Sequence, residues 1–484
     1  MNAVRCISCF ALVSLVCALL LTSCAPPPPP TEIPITTSSD EARQLFIQGR
    51  DKAENLETAE AAKLFDQAIA KDPDFARAYL ARAGAGGATE AVHANRERAK
   101  SLIDKVSPGE RLLILRSVAN ASGQTALGKA YLDSLFAMFP KDKRLKYQMG
   151  LYYRAYGDYK TAVKYYEEAI ALDPNFAAPY NQLGYDNVEL GNFEAAEKAF
   201  KDYIRLMPGR PNPLDSYAEF LRMRGRYDES IAQYKKVLET DPSFVTSMNG
   251  LGDCYLFMGN PDKAREAYQQ LIDKGTQMDD QLTGYYAKAI AFVHEAKLPE
   301  AMKAFDDCAA FGKRNNESST VISCLASQGW LLSTFGKGPE ALKKYDEAIV
   351  LAKAAPLEAS TRENTLHWSN FWLAGAYADA KKFDKAKEYL GLFAEAVTRR
   401  GNPNEKNALA FEEGHLAMME GRYDEALAKF ADVPSDPTVL SYQALSYFKK
   451  GDKNNAKAFA EKVMKWNTNS LDLAIARNKA KTIL

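Results

Sequence analysis

Apolar residues return at three- and four-residue steps along most of this chain, as in Tyr159, Ala162, Val163, Tyr166 and Ile170. That spacing predicts helices with one buried face. The helices follow a fixed rhythm: Gly123, Gly157, Gly191, Gly225 and Gly259 fall 34 residues apart, and so do Pro140, Pro174, Pro208 and Pro242. A glycine admits a tight turn and a proline ends the helix before it, so each unit reads as helix, turn, helix, stop. Such a pair cannot bury its apolar face alone and must stack on its neighbours.

Small and aromatic residues keep the same register. Lys143 to Phe176 carries Gly150, Tyr153, Gly157, Ala162, Tyr166, Ala169 and Pro174; the next unit carries Tyr180, Leu183, Gly184, Gly191, Ala196, Phe200 and Pro208. Small residues let the two helices approach closely, and the aromatic fills the space between units. This pattern resembles the tetratricopeptide repeat. The resemblance implies an all-α solenoid, a right-handed superhelix of helix-turn-helix units, with the clearest repeats at 42–75, 143–176, 177–210, 211–244 and 245–278. The register loosens at both ends, giving about ten or eleven pairs. Longer connections are expected at Ala354 to Thr365 and Val397 to Lys406, and a closing helix at Leu471 to Leu484. Length alone suggests about three domains, but a solenoid grows by adding units, so 41–484 reads as one body.

The N-terminus bears on location. Arg5, an apolar run from Ile7 to Leu21, then Thr22, Ser23 and Cys24 read as a secretory signal over 1–23. The run is shorter than the roughly 20 residues of a spanning helix. Its end resembles a bacterial lipobox, which implies lipidation of Cys24, a place in the cell envelope and, with Ala25 next, the periplasmic side of the outer membrane if the organism has one. Residues 24–40, rich in Pro, Thr and Ser, read as a poorly ordered tether reaching at most about 45 Å. Ser38 and Glu41 have capping-box spacing for the first helix.

Charge narrows the partners. With 62 basic and 62 acidic residues and no basic block, nucleic acid is an unsuitable partner. Of seven cysteines, Cys254, Cys308 and Cys324 lie beyond Cys24. Cys308 and Cys324 fall on neighbouring helices, where an oxidising compartment could join them; Cys254 reads as core. His93, His294, His367 and His415 are scattered without metal-like spacing, and no nucleophile elbow or zinc-ligand cluster is present. No metal, cofactor or catalytic residue is expected.

In this family the concave surface is lined by set positions of each first helix. Carried over, these place Asn181, Tyr185, Asp215, Glu219, Asn249 and Asp253 in one modestly acidic, exposed patch able to grip a basic or polar peptide. Arg222 occupies another such position. Further on, Tyr286, Trp330, Trp368, Phe371 and Trp372 form a second, aromatic candidate for a peptide, a partner helix or a sugar chain. The expectation is a non-catalytic, lipid-anchored envelope scaffold that binds another envelope protein or peptide in its groove. A glycan-capturing lipoprotein and a regulatory subunit of an envelope enzyme or assembly complex are the alternatives.

Overall fold

The computed structural model describes residues 31–55 and 57–484. Cys24 and the 1–23 signal lie outside the described residues. Among those described, twenty-five α-helices form twelve stacked pairs and a closing helix. The first pairs are α1 (Asp40–Glu54) with α2 (Thr58–Lys71), α3 (Ala76–Gly84) with α4 (Thr89–Ser101), and α5 (Pro108–Ala121) with α6 (Thr125–Met138). The regular centre comprises α7 (Lys143–Ala155) and α8 (Tyr159–Leu172), α9 (Ala178–Glu189) and α10 (Phe193–Leu206), α11 (Pro211–Met223) and α12 (Tyr227–Thr240), then α13 (Ser247–Phe257) and α14 (Pro261–Lys274). Longer helices follow: α15 (Met278–His294) and α16 (Leu298–Arg314), α17 (Ser318–Thr334) and α18 (Gly338–Ala354), α19 (Ala359–Asp379) and α20 (Phe383–Arg400). The last pairs are α21 (Pro403–Met419) with α22 (Tyr423–Ala431) and α23 (Pro437–Lys450) with α24 (Lys453–Met464), before α25 (Leu471–Lys481). No helix among the described residues is long and apolar enough to cross a membrane.

Within a pair, the close approach has a visible cause. A Cβ on Gly150, Gly184, Gly252, Gly329 or Gly414 would stand 2.2 to 2.7 Å from the ring of Tyr166, Phe200, Tyr268, Tyr345 or Phe430 respectively. Each aromatic lies sixteen residues after its glycine, and all five rings are buried. The ring therefore occupies the space a side chain would need. The turn between helices requires a positive φ, met by Gly225 at 72° and by the other rhythm glycines.

Three expectations are corrected. The pair count is twelve, because α3 and α4 form a full pair although their signature is faint. The connections at 354–365 and 397–406 are short: α19 begins at Ala359 and α21 at Pro403, so helix fills most of both segments. The first helix is capped by Ser39, which accepts from the Ala42 N–H, one residue after the expected Ser38.

The tether is also corrected from Thr31 onward. Ile33 is buried and donates its N–H to Asp142 Oδ2 at 3.1 Å. Thr36 donates its N–H to Glu110 Oε1 at 2.8 Å, and Ser38 donates to Asp72 Oδ2 at 2.9 Å. An extended segment cannot satisfy its own backbone; here carboxylates at the end of the first pair, in the third and at the start of the fourth do so, and the leader lies docked along them.

The coil returns on itself. Arg96 pairs with Glu358, the Asn404 amide donates to the Ala155 carbonyl at 3.3 Å, and Arg222 donates to the Asn467 carbonyl at 3.2 Å. These contacts span 262, 249 and 245 residues, a nearly constant offset. Successive superhelical turns therefore sit directly on one another.

Candidate functional site: an aromatic cleft beneath the closing helix

The first helices of the central pairs stand side by side, and their inward side chains meet as the sequence places them. Tyr185, Asp215, Glu219, Asn249 and Asp253 of the acidic patch are brought together, but not as an exposed surface. Tyr185 Oη donates to Glu219 Oε2 at 2.7 Å, and Glu219 accepts from Arg222 at 3.0 Å. Arg222 in turn lies 3.2 Å from Asp253 Oδ2, both side chains 5% exposed. Asp253 Oδ1 accepts from Tyr268 Oη and from the Asn469 amide, each at 2.7 Å. Asp215 accepts from the Ser247 hydroxyl. Arg222 thus runs through the patch and neutralises much of it. Asn181 is buried as well, and its Oδ1 and that of Asn249 have no hydrogen-bond partner among the described residues.

The electrostatics follow from this burial. Desolvation lifts Asp215 to about 7 and also raises Asp253, which Arg222 partly offsets. Desolvation would lower the Arg222 guanidinium, but the Asp253 charge more than reverses that, and it stays protonated. Tyr185 is pushed well above its ordinary value by burial and by Glu219.

The aromatic candidate divides in two. Tyr286, Trp330 and Trp372 line one cleft of about 780 Å³ together with Asn249, Asp253, Asn469 and Asp472. Trp372 stacks on Tyr345 with centroids 5.8 Å apart, and Tyr286 Oη shares a hydrogen bond with Ser327 Oγ at 2.7 Å. Trp368 and Phe371 are elsewhere. They pack on Phe393 at 5.5 and 5.6 Å, and Phe371 joins the core around Phe411 and Phe430. For these two the site assignment is corrected: they fill space between α19, α20 and α21. The cleft therefore joins one end of the polar patch to three of the five aromatic candidates.

One wall was not foreseen. The segment Asn467 to Ser470 enters the concave face ahead of α25, whose Leu471, Ala474 and Ile475 pack on Ala289, Ile290, Val293 and Leu331. Tyr227 Oη donates to Asn467 Oδ1 at 2.7 Å, and His294 Nε2 lies 3.0 Å from Asn469 Oδ1. The only sequence signal was a polar Asn-Thr-Asn-Ser run before the closing helix, which resembles any helix cap.

The candidate disulfide and the histidines have simple outcomes. Cys308 and Cys324 are buried free thiols that both line the cleft, so the disulfide is not formed here. His415 is buried between carboxylates, with Nδ1 3.0 Å from Glu412 Oε1 and Nε2 3.0 Å from Asp379 Oδ1. Burial would lower it, but Glu412 and Asp379 raise its pKa to about 10. Among the described residues no group of three His, Cys, Asp or Glu side chains is arranged to hold a metal ion.

Tetratricopeptide repeat models match residues 48–92, 144–176, 212–274, 249–314 and 443–470. Superkiller complex protein 3 of Mus musculus is 28% identical over 41% of this chain and 12% of its own length. Cellulose synthase operon protein C of Komagataeibacter xylinus is 23% identical over 56% of this chain and 22% of its own. The chain thus spans a small part of either relative. The crystal structure of yeast Tom70 aligns over 87% of this chain and 98% of that one, at 15% identity and a TM-score of 0.44.

Proposed function

Because this chain belongs to the tetratricopeptide repeat family, we propose that it is a non-catalytic scaffold that holds a partner protein through its concave face. The observation that carries this reading is the cleft: about 780 Å³, with half-buried aromatic rings beside polar groups, the composition of a binding site. The polar patch next to it is internally paired and contributes rigidity more than contact. The similarity to a Superkiller complex protein agrees with a role in assembly. Pull-down from crosslinked membranes tests the reading. Trp330→Ala with Trp372→Ala should lose the partner that the unaltered protein captures; undiminished capture overturns it.

The proposal places the scaffold in the bacterial envelope, on the periplasmic side of the outer membrane, anchored through Cys24. Its support is the lipobox-like end of the apolar N-terminal run. Cys24→Ser should abolish labelling by a fatty-acid probe, and unchanged labelling would remove the anchor. A glycan-binding role is a second reading, favoured by the three rings of the cleft and by similarity to a protein named for a cellulose synthase operon. The regulatory-subunit alternative has no residue of its own to support it.

A further inference from the structure

Among the described residues every charged side chain lining the cleft is a carboxylate: Asp253 and Asp472, with no Lys, Arg or His. Asp253 is already engaged by Arg222, Tyr268 and Asn469. Asp472 is different. It is half-buried at the second position of α25 and, among the described residues, has neither a hydrogen-bond nor an ion-pair partner. Burial and the nearby charge of Asp436 raise its pKa to about 6, so the carboxylate is charged at neutral pH in surroundings that oppose the charge. Asn249 Oδ1, a second lining acceptor, is buried without a donor. Two unfilled acceptors call for a donor-rich occupant. Tyr286, Trp330 and Trp372 surround the same space, and the face of an indole is the best aromatic surface for a cation.

We propose that this cleft seats a lysine or arginine side chain carried by an extended segment of the partner protein. The cation meets Asp472, an N–H answers Asn249 Oδ1, and the aliphatic stem lies among the three rings. A neutral sugar would use the rings and the amide but leave the carboxylate unpaired, which is why the cation fits better. At about 780 Å³ the cleft exceeds one side chain and accommodates neighbouring residues of the segment. The proposal rests on the scaffold reading and specifies what its groove recognises.

Tryptophan fluorescence of the purified protein, titrated with a hexa-arginine peptide and with a hexacitrulline peptide, isolates the charge, since citrulline keeps the shape of arginine without it. Saturable binding of hexa-arginine is expected, weakened about tenfold or more with hexacitrulline or with Asp472→Asn, the variant retaining its helical circular dichroism. Equal binding of the two peptides, unchanged binding by Asp472→Asn, or no binding of hexa-arginine overturns the proposal. A response to cellohexaose with none to hexa-arginine overturns it in favour of the glycan reading. Crosslinked capture separates the two levels. Partner capture undiminished by Asp472→Asn rejects the cationic seat and leaves the scaffold standing, whereas no capture by the unaltered protein rejects the scaffold itself.

Discussion

The Asn469 amide donates to Asp253 across 216 residues of sequence, at 2.7 Å. Asp253 also holds Arg222, so a residue near the C-terminus completes the polar network of the central groove. A buried pair deprived of one member leaves an uncompensated charge, and Arg222→Leu should cost about 3 to 5 kcal/mol. Asn469→Ala should cost less, about 1.5 to 3 kcal/mol, the range for a hydrogen bond to a charged group. Urea melts of both variants check the order. The charge reversals Asp215→Lys and Glu219→Lys, silent if that face were open, should also lower the midpoint, because both side chains are engaged within the fold.

Gly184 and Ala196 lie where α9 meets α10. Ala196 is fully buried, and a Cβ on Gly184 would approach Phe200 to 2.6 Å. Ala196→Leu should therefore destabilise by about 1 to 3 kcal/mol through overpacking. A thermal melt by circular dichroism that does not move would contradict the packing described.

His294 gives the acid side of stability a defined origin. Burial, together with the positive charges of Arg477 and Lys481 and against the Asn469 hydrogen bond, lowers its pKa to about 4. The folded value lies below the unfolded one, so the neutral ring supports the fold above about pH 6.5. That support is lost as pH falls through 4, on the order of 3 kcal/mol in all. His294→Gln should flatten this part of the stability profile between pH 7 and 4. An unchanged slope in denaturation series at those pH values would assign the acid sensitivity to other groups.

Cys308 and Cys324 act on each other, which lowers the first thiol and raises the second. Thiolate is the reactive form, so mild oxidant should join these two before it touches Cys254, which burial raises to about 11. Peptide mapping under non-reducing conditions should find a 308–324 link; Cys254 in mixed disulfides with both thiols intact would refute this order.

The centre of the fold was legible because its helices keep a length of 11 to 14 residues and the turn glycines recur. From α15 to α21 the helices lengthen to 17 to 21 residues, which breaks the 34-residue period. The turn glycine is also lost at two of the three turns within these pairs: Gly336 keeps it at 72°, but Ala296 and Lys381 adopt φ of 57° in its place, a conformation that side chains disfavour. Sequence placed Tyr286, Trp330 and Trp372 near one another because helix phase is local. It could not separate Trp368 and Phe371 from them, since that depends on which way α20 and α21 close. Nor could any local pattern show Asn469 entering the groove, because the partners are brought together only by a full turn of the coil.

That full turn alters the mechanics of the molecule. An open solenoid is elastic: each unit touches only its neighbours, stretching is shared along the length, and repeats can be inserted or deleted at modest cost. Here Arg96 with Glu358, Ala155 with Asn404, and Arg222 with Asn467 fasten one coil to the next like clasps on a wound spring. Removing a 34-residue unit such as 245–278, which lies inside all three spans, would shift every clasp out of phase at once. The number of repeats is thereby part of the design, and pulling on the two ends should meet one stiff resistance before any repeat unravels.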